Sequence, residues 1–145
     1  MFNLRVYALF LKDGKVLVTD EYRFGIAFTK FPGGGMEFGE GTLDALRREL
    51  REEMSLEVGD LEHVYTTDFF QPSAFHQKNQ IISIYYRVMD WDENLIKTSE
   101  IPFDFELKEE AQSFRWLPIH ALLEAELTFP IDKKVAKMLC EKFRI

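Results

Sequence analysis

Gly33-Gly34-Gly35-Met36-Glu37-Phe38-Gly39-Glu40-Gly41-Thr42 runs directly into Leu43-Asp44-Ala45-Leu46-Arg47-Arg48-Glu49-Leu50-Arg51-Glu52-Glu53-Met54-Ser55-Leu56. Five of the chain's eight glycines fall between positions 33 and 41. Such a concentration marks backbone that turns tightly or lets a ligand come close, because glycine alone enters positive φ without steric cost. Thr42 then precedes Leu43, Leu46, Leu50 and Met54, spaced by three or four residues, so the pattern predicts an amphipathic helix over 43–54 with Thr42 as its N-cap. At 100° per residue Glu49, Glu52 and Glu53 share one flank of that helix, and Arg47, Arg48 and Arg51 lie on the other.

This arrangement works against the helix. Glu49 repels Glu52 and Glu53 across i,i+3 and i,i+4 spacings, and Glu52 and Glu53 sit in the last turn, where the helix dipole disfavours carboxylates by ~0.3–1 kcal/mol each. Only Glu52 has an intrahelical partner in the pattern, Arg48 four residues earlier. A charged run of this kind is often just a solvated face. Beside a glycine-rich loop, however, three converging carboxylates supply the hard oxygen ligands that Mg²⁺ or Mn²⁺ prefers, and a divalent ion turns their repulsion into binding energy.

Outward from this segment, Leu4 to Leu11 and Lys15 to Thr19 read as strands joined at Asp13-Gly14, an opening hairpin. Ile26 to Phe31 is a short apolar strand ending at Pro32. Beyond the helix, Leu61 to Phe70 and Gln80 to Met89 read as strands, the second long and largely buried, with 71–79 as a loop and the acidic stretch 91–110 as a connection. Ser113 to Leu117 completes the strands, and Pro118 to Ala125 and Ile131 to Phe143 read as helices introduced by prolines. Interleaved strands and helices with hairpin returns predict an α/β (α+β) chain with a mixed sheet covered by helices.

At 145 residues the chain suits a single domain, 1–145. Its 18 Lys+Arg against 25 Asp+Glu, net −7, disfavour nucleic acid polymers and acidic membrane surfaces, and a phosphate ligand needs a cation to enter. The one cysteine, Cys140, has neither a disulfide partner nor neighbours for a zinc site, and no stretch approaches the ~20 apolar residues of a membrane span. The expectation is a cytoplasmic protein.

Gly34, Glu40 and the run Arg48-Glu49-Leu50-Arg51-Glu52-Glu53-Met54-Ser55-Leu56 resemble the box of the Nudix hydrolases, covering 34–56, with Ser55 where that pattern usually has glycine. The resemblance implies an α/β/α sandwich around a mixed sheet, with the box as loop, helix and loop. It implies that Glu49, Glu52 and Glu53 bind Mg²⁺ (or Mn²⁺), that the Gly33 carbonyl is a further ligand, and that Arg48 and Glu40 form the ion pair that orients the box around Gly34. It also implies an acid outside the box, for which Glu110, six residues before Trp116, is the choice and Glu109 the rival. Glu49, Glu53 and Glu110 are then the candidate general bases.

The implied activity is Mg²⁺-dependent hydrolysis of a phosphoanhydride bond in a nucleoside diphosphate linked to another moiety, nucleoside triphosphates included, and a homodimer is the implied assembly. Specificity must come from outside the box, where Arg23, Lys30, Phe70 and Phe75 are the candidate substrate contacts, with Tyr22, Phe69 and His76 nearby. Competing enzyme classes are poorly served: the glycine run is not followed by Gly-Lys-Ser/Thr, no Gly-x-Ser-x-Gly elbow occurs, and His63, His76 and His120 are scattered. The alternative is a nucleotide-binding sensor or interaction module that keeps this fold without catalysis.

Overall fold

The structure is a computed structural model that describes residues 1–76 and 78–143. In chain order its elements are β1 (Phe2–Leu9), β2 (Leu11–Lys12), β3 (Lys15–Arg23), β4 (Ile26–Lys30), β5 (Gly33–Gly35), α1 (Thr42–Met54), β6 (Leu61–Thr66), β7 (Gln80–Val88), β8 (Ala111–Pro118), α2 (Leu123–Glu126) and α3 (Pro130–Lys142). They fall into two compact units, one built from Met1–Phe10 and Pro32–Ile96, the other from Leu11–Phe31 and the chain from Lys97 on.

The first unit holds a mixed four-stranded sheet in the order β5-β1-β7-β6. β1 runs parallel to β7, with Phe2 opposite Gln80 and Tyr7 opposite Tyr85, and antiparallel to β5, with Arg5 opposite Gly35 and Tyr7 opposite Gly33. Both edges of β1 are thereby taken. This is why the expected hairpin between Leu4–Leu11 and Lys15–Thr19 does not form as read: β1 stays in the first sheet, and only Leu11 and Lys12 turn back, pairing with Val16 and Lys15. The Asp13-Gly14 turn itself forms, with φ of 50° and 71°, the two left-handed residues of a tight two-residue hairpin. β7, read as largely buried, is buried only at Ser83, Tyr85 and Val88 and half-buried at its other positions.

The second unit holds an antiparallel sheet in which β8 lines the whole length of β3 and β2 and β4 share its other edge. β3 extends to Arg23, past the expected end at Thr19. Asp20 and Glu21, poor strand formers, continue it because both are buried and paired. The Asp20 carboxylate accepts Nε and Nη2 of Arg115 at 2.6 and 2.9 Å, the Thr29 hydroxyl at 2.7 Å and the Phe103 N–H at 3.1 Å. Glu21 lies 3.2 Å from Lys30 Nζ and also accepts Thr19 and Gln112 side chains. Pro118 closes β8 instead of opening a helix, leaving α2 only four residues. α3 forms one residue earlier than the expected 131–143, taking in the proline that introduces it, and buries Ile131, Val135, Ala136 and Leu139.

A buried charge that loses its partner is left without water or counter-charge. Arg115→Leu is therefore expected to lower unfolding stability by about 3–5 kcal/mol, with the double variant Asp20→Leu/Arg115→Leu recovering a large part of the loss. Urea denaturation followed by tryptophan fluorescence measures both.

Candidate functional site

α1 starts one residue earlier than expected. Gly41, extended at φ −79° and ψ 170°, is the N-cap, and its N–H donates to Asp44 Oδ2 at 3.1 Å, placing a carboxylate at the positive end of the helix dipole. Thr42 is the first helical residue, and its hydroxyl instead pairs with Tyr86 Oη at 2.6 Å. Of the expected apolar stripe Leu46 and Leu50 are buried, each burial worth roughly 1.5–3 kcal/mol, while Leu43 is exposed and Met54 half-buried. Ala45 shares the buried face, and Arg47 ties the helix to the following loop through the Val58 and Gly59 carbonyls.

The helix ends at Ser55, whose φ of 51° and ψ of 37° are left-handed, while the Leu56 N–H reaches back to the Leu50 carbonyl at 3.3 Å. The turn thus closes with serine where a glycine carries no strain. Ser55→Gly is expected to raise stability by about 1 kcal/mol with little effect on activity, as thermal melts and turnover measured side by side will show.

Arg48 organises the segment. Its Nε donates to Glu40 Oε2 at 2.6 Å and its Nη2 to Glu40 Oε1 at 2.9 Å, a two-pronged pair. Nη2 also donates to the Gly35 carbonyl at 2.9 Å, so the same side chain fastens the helix to the glycine strand. Nη1 meets Glu49 Oε1 at 3.0 Å and Glu52 Oε2 at 3.2 Å, and Glu37 lies 3.7 Å away. Arg48 therefore curls toward the acidic flank, and Glu49, expected to lack a partner, has one. The Arg48–Glu40 pair that the sequence resemblance implies is present. Hydrogen bonds from Arg48 and then from the Glu37 N–H hold the Glu40 carboxyl below the usual range, and the Glu40 bond raises the Arg48 guanidinium further still.

The glycine strand is shaped around these groups. Gly33 is buried with φ +145°, and a Cβ there would lie 2.0 Å from the Val6 carbonyl oxygen. A Cβ on Gly34 would lie 2.6 Å from the Glu49 carboxylate, so the absence of a side chain at Gly34 seats that carboxylate. Glu52 is exposed and Glu53 half-buried. The donor chemistry fits a hard divalent cation. The full three-carboxylate convergence expected for it is not drawn together: among the described residues no three His, Cys, Asp or Glu side chains form a metal-holding group, and Glu49 and Glu52 each turn an oxygen to Arg48.

A family model for the NUDIX domain matches residues 1–139. The chain belongs to the NUDIX domain family. An RNA pyrophosphohydrolase of Legionella pneumophila (strain Corby) is 29% identical, the match covering 76% of this chain and 70% of the relative. Among solved structures, the solution structure of the E. coli ORF135 protein superposes with a TM-score of 0.69 at 22% identity, covering 99% of this chain and 93% of that one. A MutT structure from a study of Aliivibrio salmonicida and Vibrio cholerae gives 0.67 at 22% identity, covering 99% and 100%. The structural likenesses bear out the mixed α+β fold, and the family match together with the curated relative supports a Nudix-type pyrophosphohydrolase.

The remaining candidates separate by unit. In the second unit, the Glu109 carboxylate accepts the Phe24 and Gly25 N–H groups at 3.0 Å each, fastening the β3–β4 turn where both residues have positive φ. Glu110, also at positive φ (67°), has its N–H on the Tyr22 carbonyl and its side chain in the open, 3.9 Å from Arg23 Nη2. Of the two acids Glu109 is thus occupied in holding a turn. Arg23 is exposed as expected and also lies over the Phe24 ring. Lys30 is not exposed: it is 5% accessible and ion-paired to Glu21, so the expectation of a surface contact is corrected.

In the first unit Phe70 is 70% exposed and lines a small pocket of about 170 Å³ with Met1, Phe2, Lys78, Asn79 and Gln80. Phe69 is borderline exposed, while Phe75 is half-buried in a loop whose Phe75 and His76 N–H groups are held by the Ser73 hydroxyl. The sequence reading missed Arg5, which faces Gly35 across the β1–β5 pair; only the strand register exposes that relation.

Because the folded state holds Glu40 below its ordinary value near 4.5, the Glu40–Arg48 pair stabilises the protein above that pH and the contribution is lost as pH falls through the folded value. The melting-temperature gap between wild type and Glu40→Gln is therefore expected to be full at pH 7 and to close as acidification carries the pH through the lowered Glu40 value, read from melts across a pH series.

Proposed function

We propose that this Nudix pyrophosphohydrolase carries out Mg²⁺-dependent hydrolysis of a phosphoanhydride bond in a nucleoside diphosphate linked to another moiety, nucleoside triphosphates included, with Mn²⁺ as an alternative ion. The observation that carries the reading is the Arg48 cluster, in which one guanidinium fastens Glu40, Glu49, Glu52 and the Gly35 carbonyl together at the start and flank of α1. Glu49, Glu52 and Glu53 are the residues that would hold the ion, with the Gly33 carbonyl as a further oxygen donor. When bound, the ion supplies neutralisation of the phosphate oxygens and a more acidic water. Arg48 and Glu40 keep the helix carboxylates aimed at the glycine strand, and a carboxylate not spent on the ion, Glu49 or Glu53, accepts the proton of the attacking water.

The net charge of −7 favours a small substrate brought in with its counter-ion over a long polyanion. Cys140, a buried thiol that donates to the His120 carbonyl, accords with a reducing compartment and hence with the cytoplasm. One domain acting as a homodimer completes the proposal.

The test is hydrolysis of a panel of nucleoside triphosphates, sugar nucleotides, dinucleotides and, because the Legionella relative is an RNA pyrophosphohydrolase, a 5′-triphosphorylated oligoribonucleotide, with and without Mg²⁺. Glu53→Gln is expected to fold as well as wild type, since it removes a charge that repels Glu49, and to lose turnover by two orders of magnitude or more, about what removal of a positioned acid or base costs. Normal turnover by that variant sinks the carboxylate assignment, and metal-independent turnover sinks the ion.

A further inference from the structure

Where β1 and β7 begin, the first unit leaves an opening that the Arg48 cluster does not use. Gln80, the first residue of β7, is held on both edges: its N–H donates to the Met1 carbonyl at 2.9 Å, and on the other side it bridges to Pro72. The Ile81 N–H reaches the Gln71 carbonyl at 2.9 Å. The turn before β7 is closed by the Ser73 N–H on the Asn79 carbonyl at 2.9 Å and the Asn79 N–H on the His76 carbonyl at 2.8 Å. The backbone around the opening is thereby fixed, and it presents Met1, Phe2, Phe70, Lys78, Asn79 and Gln80 around about 170 Å³.

Phe2 and Phe70 are 65% and 70% exposed, whereas Phe10 and Phe31 are fully buried. One exposed apolar side chain is ordinary; two around one opening, beside polar groups with nothing to bond, mark a place where a ligand settles. Among the described residues neither ring has a ring partner, and the Asn79 and Gln80 side-chain amides and the Lys78 ammonium have no hydrogen-bond or ion-pair partner. Asn79 and Gln80 are half-buried, so these amides are already partly withdrawn from water.

Each group narrows the class of ligand. A volume of about 170 Å³ falls short of the ~300–1,000 Å³ that takes a drug-sized molecule, so one ring system enters and the rest stays outside. Two phenyl rings favour a flat, polarisable partner, and stacking on aromatic side chains is the usual way an unpaired base is held. A carboxamide carries a donor and an acceptor side by side, which matches the mixed edge of a base and serves no hydrocarbon. Lys78, exposed at the rim, supplies a positive charge for an anion attached to that ring. The opening also lies on the face of the sheet that meets α1: Phe2 and Leu4 alternate onto the side of β1 that carries Val6, the partner of Gly34. Leu4 is 41% exposed, so this face remains accessible over the ~13 Å of strand that separate Phe2 from Val6.

We infer that Phe2, Phe70, Asn79 and Gln80 form a nucleobase site, with Lys78 placed to meet the phosphate of the same nucleotide. The base belongs either to the substrate, in which case the inference rests on the proposed function, or to a separate nucleotide; the ring chemistry is the same, and the experiment tells the two apart. Binding here needs no divalent ion, because no carboxylate lines the opening.

The probes are adenosine, guanosine, cytidine and uridine and their 5′-monophosphates, titrated without divalent ion into isotope-labelled wild type, Phe70→Ala and Lys78→Ala, each checked by a thermal melt. At least one base is expected to shift the side-chain amide signals of Asn79 and Gln80 in two-dimensional NMR spectra. Phe70→Ala is expected to bind it about tenfold more weakly or worse, the loss of one stacking partner. Wild type is expected to prefer the monophosphate over the nucleoside by about two- to fivefold, a preference that Lys78→Ala erases. With Mg²⁺ and a panel substrate that is hydrolysed, a monophosphate that inhibits competitively in wild type and more weakly in Phe70→Ala assigns the base to the substrate. A monophosphate that shifts the same signals without competing assigns it to a separate nucleotide. No shift for any probe, or equal affinity in a folded Phe70→Ala, overturns the inference. A wild type that binds bases here and hydrolyses nothing in the panel defeats the proposed function alone, so the two failures are distinct.

Discussion

Six acids lie from Glu37 to Glu53, and one arginine holds four of them together. The Arg48 side chain satisfies Glu40 with two bonds, Glu49 and Glu52 with one each, and still reaches the backbone of the glycine strand. Without that guanidinium the flank of α1 would be a row of like charges ending at the negative pole of the helix dipole. With it, the loop, strand and helix of the box form one rigid piece. The guanidinium is always charged and planar, which lysine could not reproduce, so the constraint is on shape as much as on charge. The lowered pKa of Glu40 follows from that side chain's reach, and the Glu49 carboxylate it also holds is the one that leaves no room for a side chain at Gly34.

The box was legible because its chemistry is local. Gly34, Glu40, Arg48, Glu49, Glu52 and Glu53 lie within one loop and one helix, where spacing in sequence converts directly into spacing on a surface. The Arg48–Glu40 pair came from the resemblance of that segment to the Nudix box, and the class of fold from the interleaving of strands and helices along the chain. The limits of reading by spacing show in the same helix: Arg48 stands only about 40° around the axis from Glu52, so setting the arginines on a separate flank from the acids concealed how many of them its long side chain reaches. The cap was misassigned for a related reason, since Thr42 found a better partner in Tyr86, forty-four residues away, than in its own helix.

What escaped the sequence is non-local. Asp20 and Glu21 look like the end of a strand until Arg115, Thr29, Lys30 and Gln112 are seen to meet them across the sheet. The same pairing removes Lys30 from the surface. The partner of β1 likewise cannot be read from the Asp13-Gly14 turn, because the stronger claim on its edges comes from β5 and β7. Pro118 shows the ambiguity of proline, which opens helices and also ends strands.

The parallel pairing of β1 with β7 also has a bearing on how the molecule is made. A ribosome releases Phe2 long before Gln80, its partner in the sheet, so β1 must wait through the synthesis of five strands and a helix before its second edge is covered. During that interval Val6, Ala8 and Leu9, fully buried in the finished protein, lack the strand that covers them along that edge. Assembly of the first sheet is therefore set by chain closure over a long separation, and the nascent chain spends that time as a client for whatever shields apolar strands from one another.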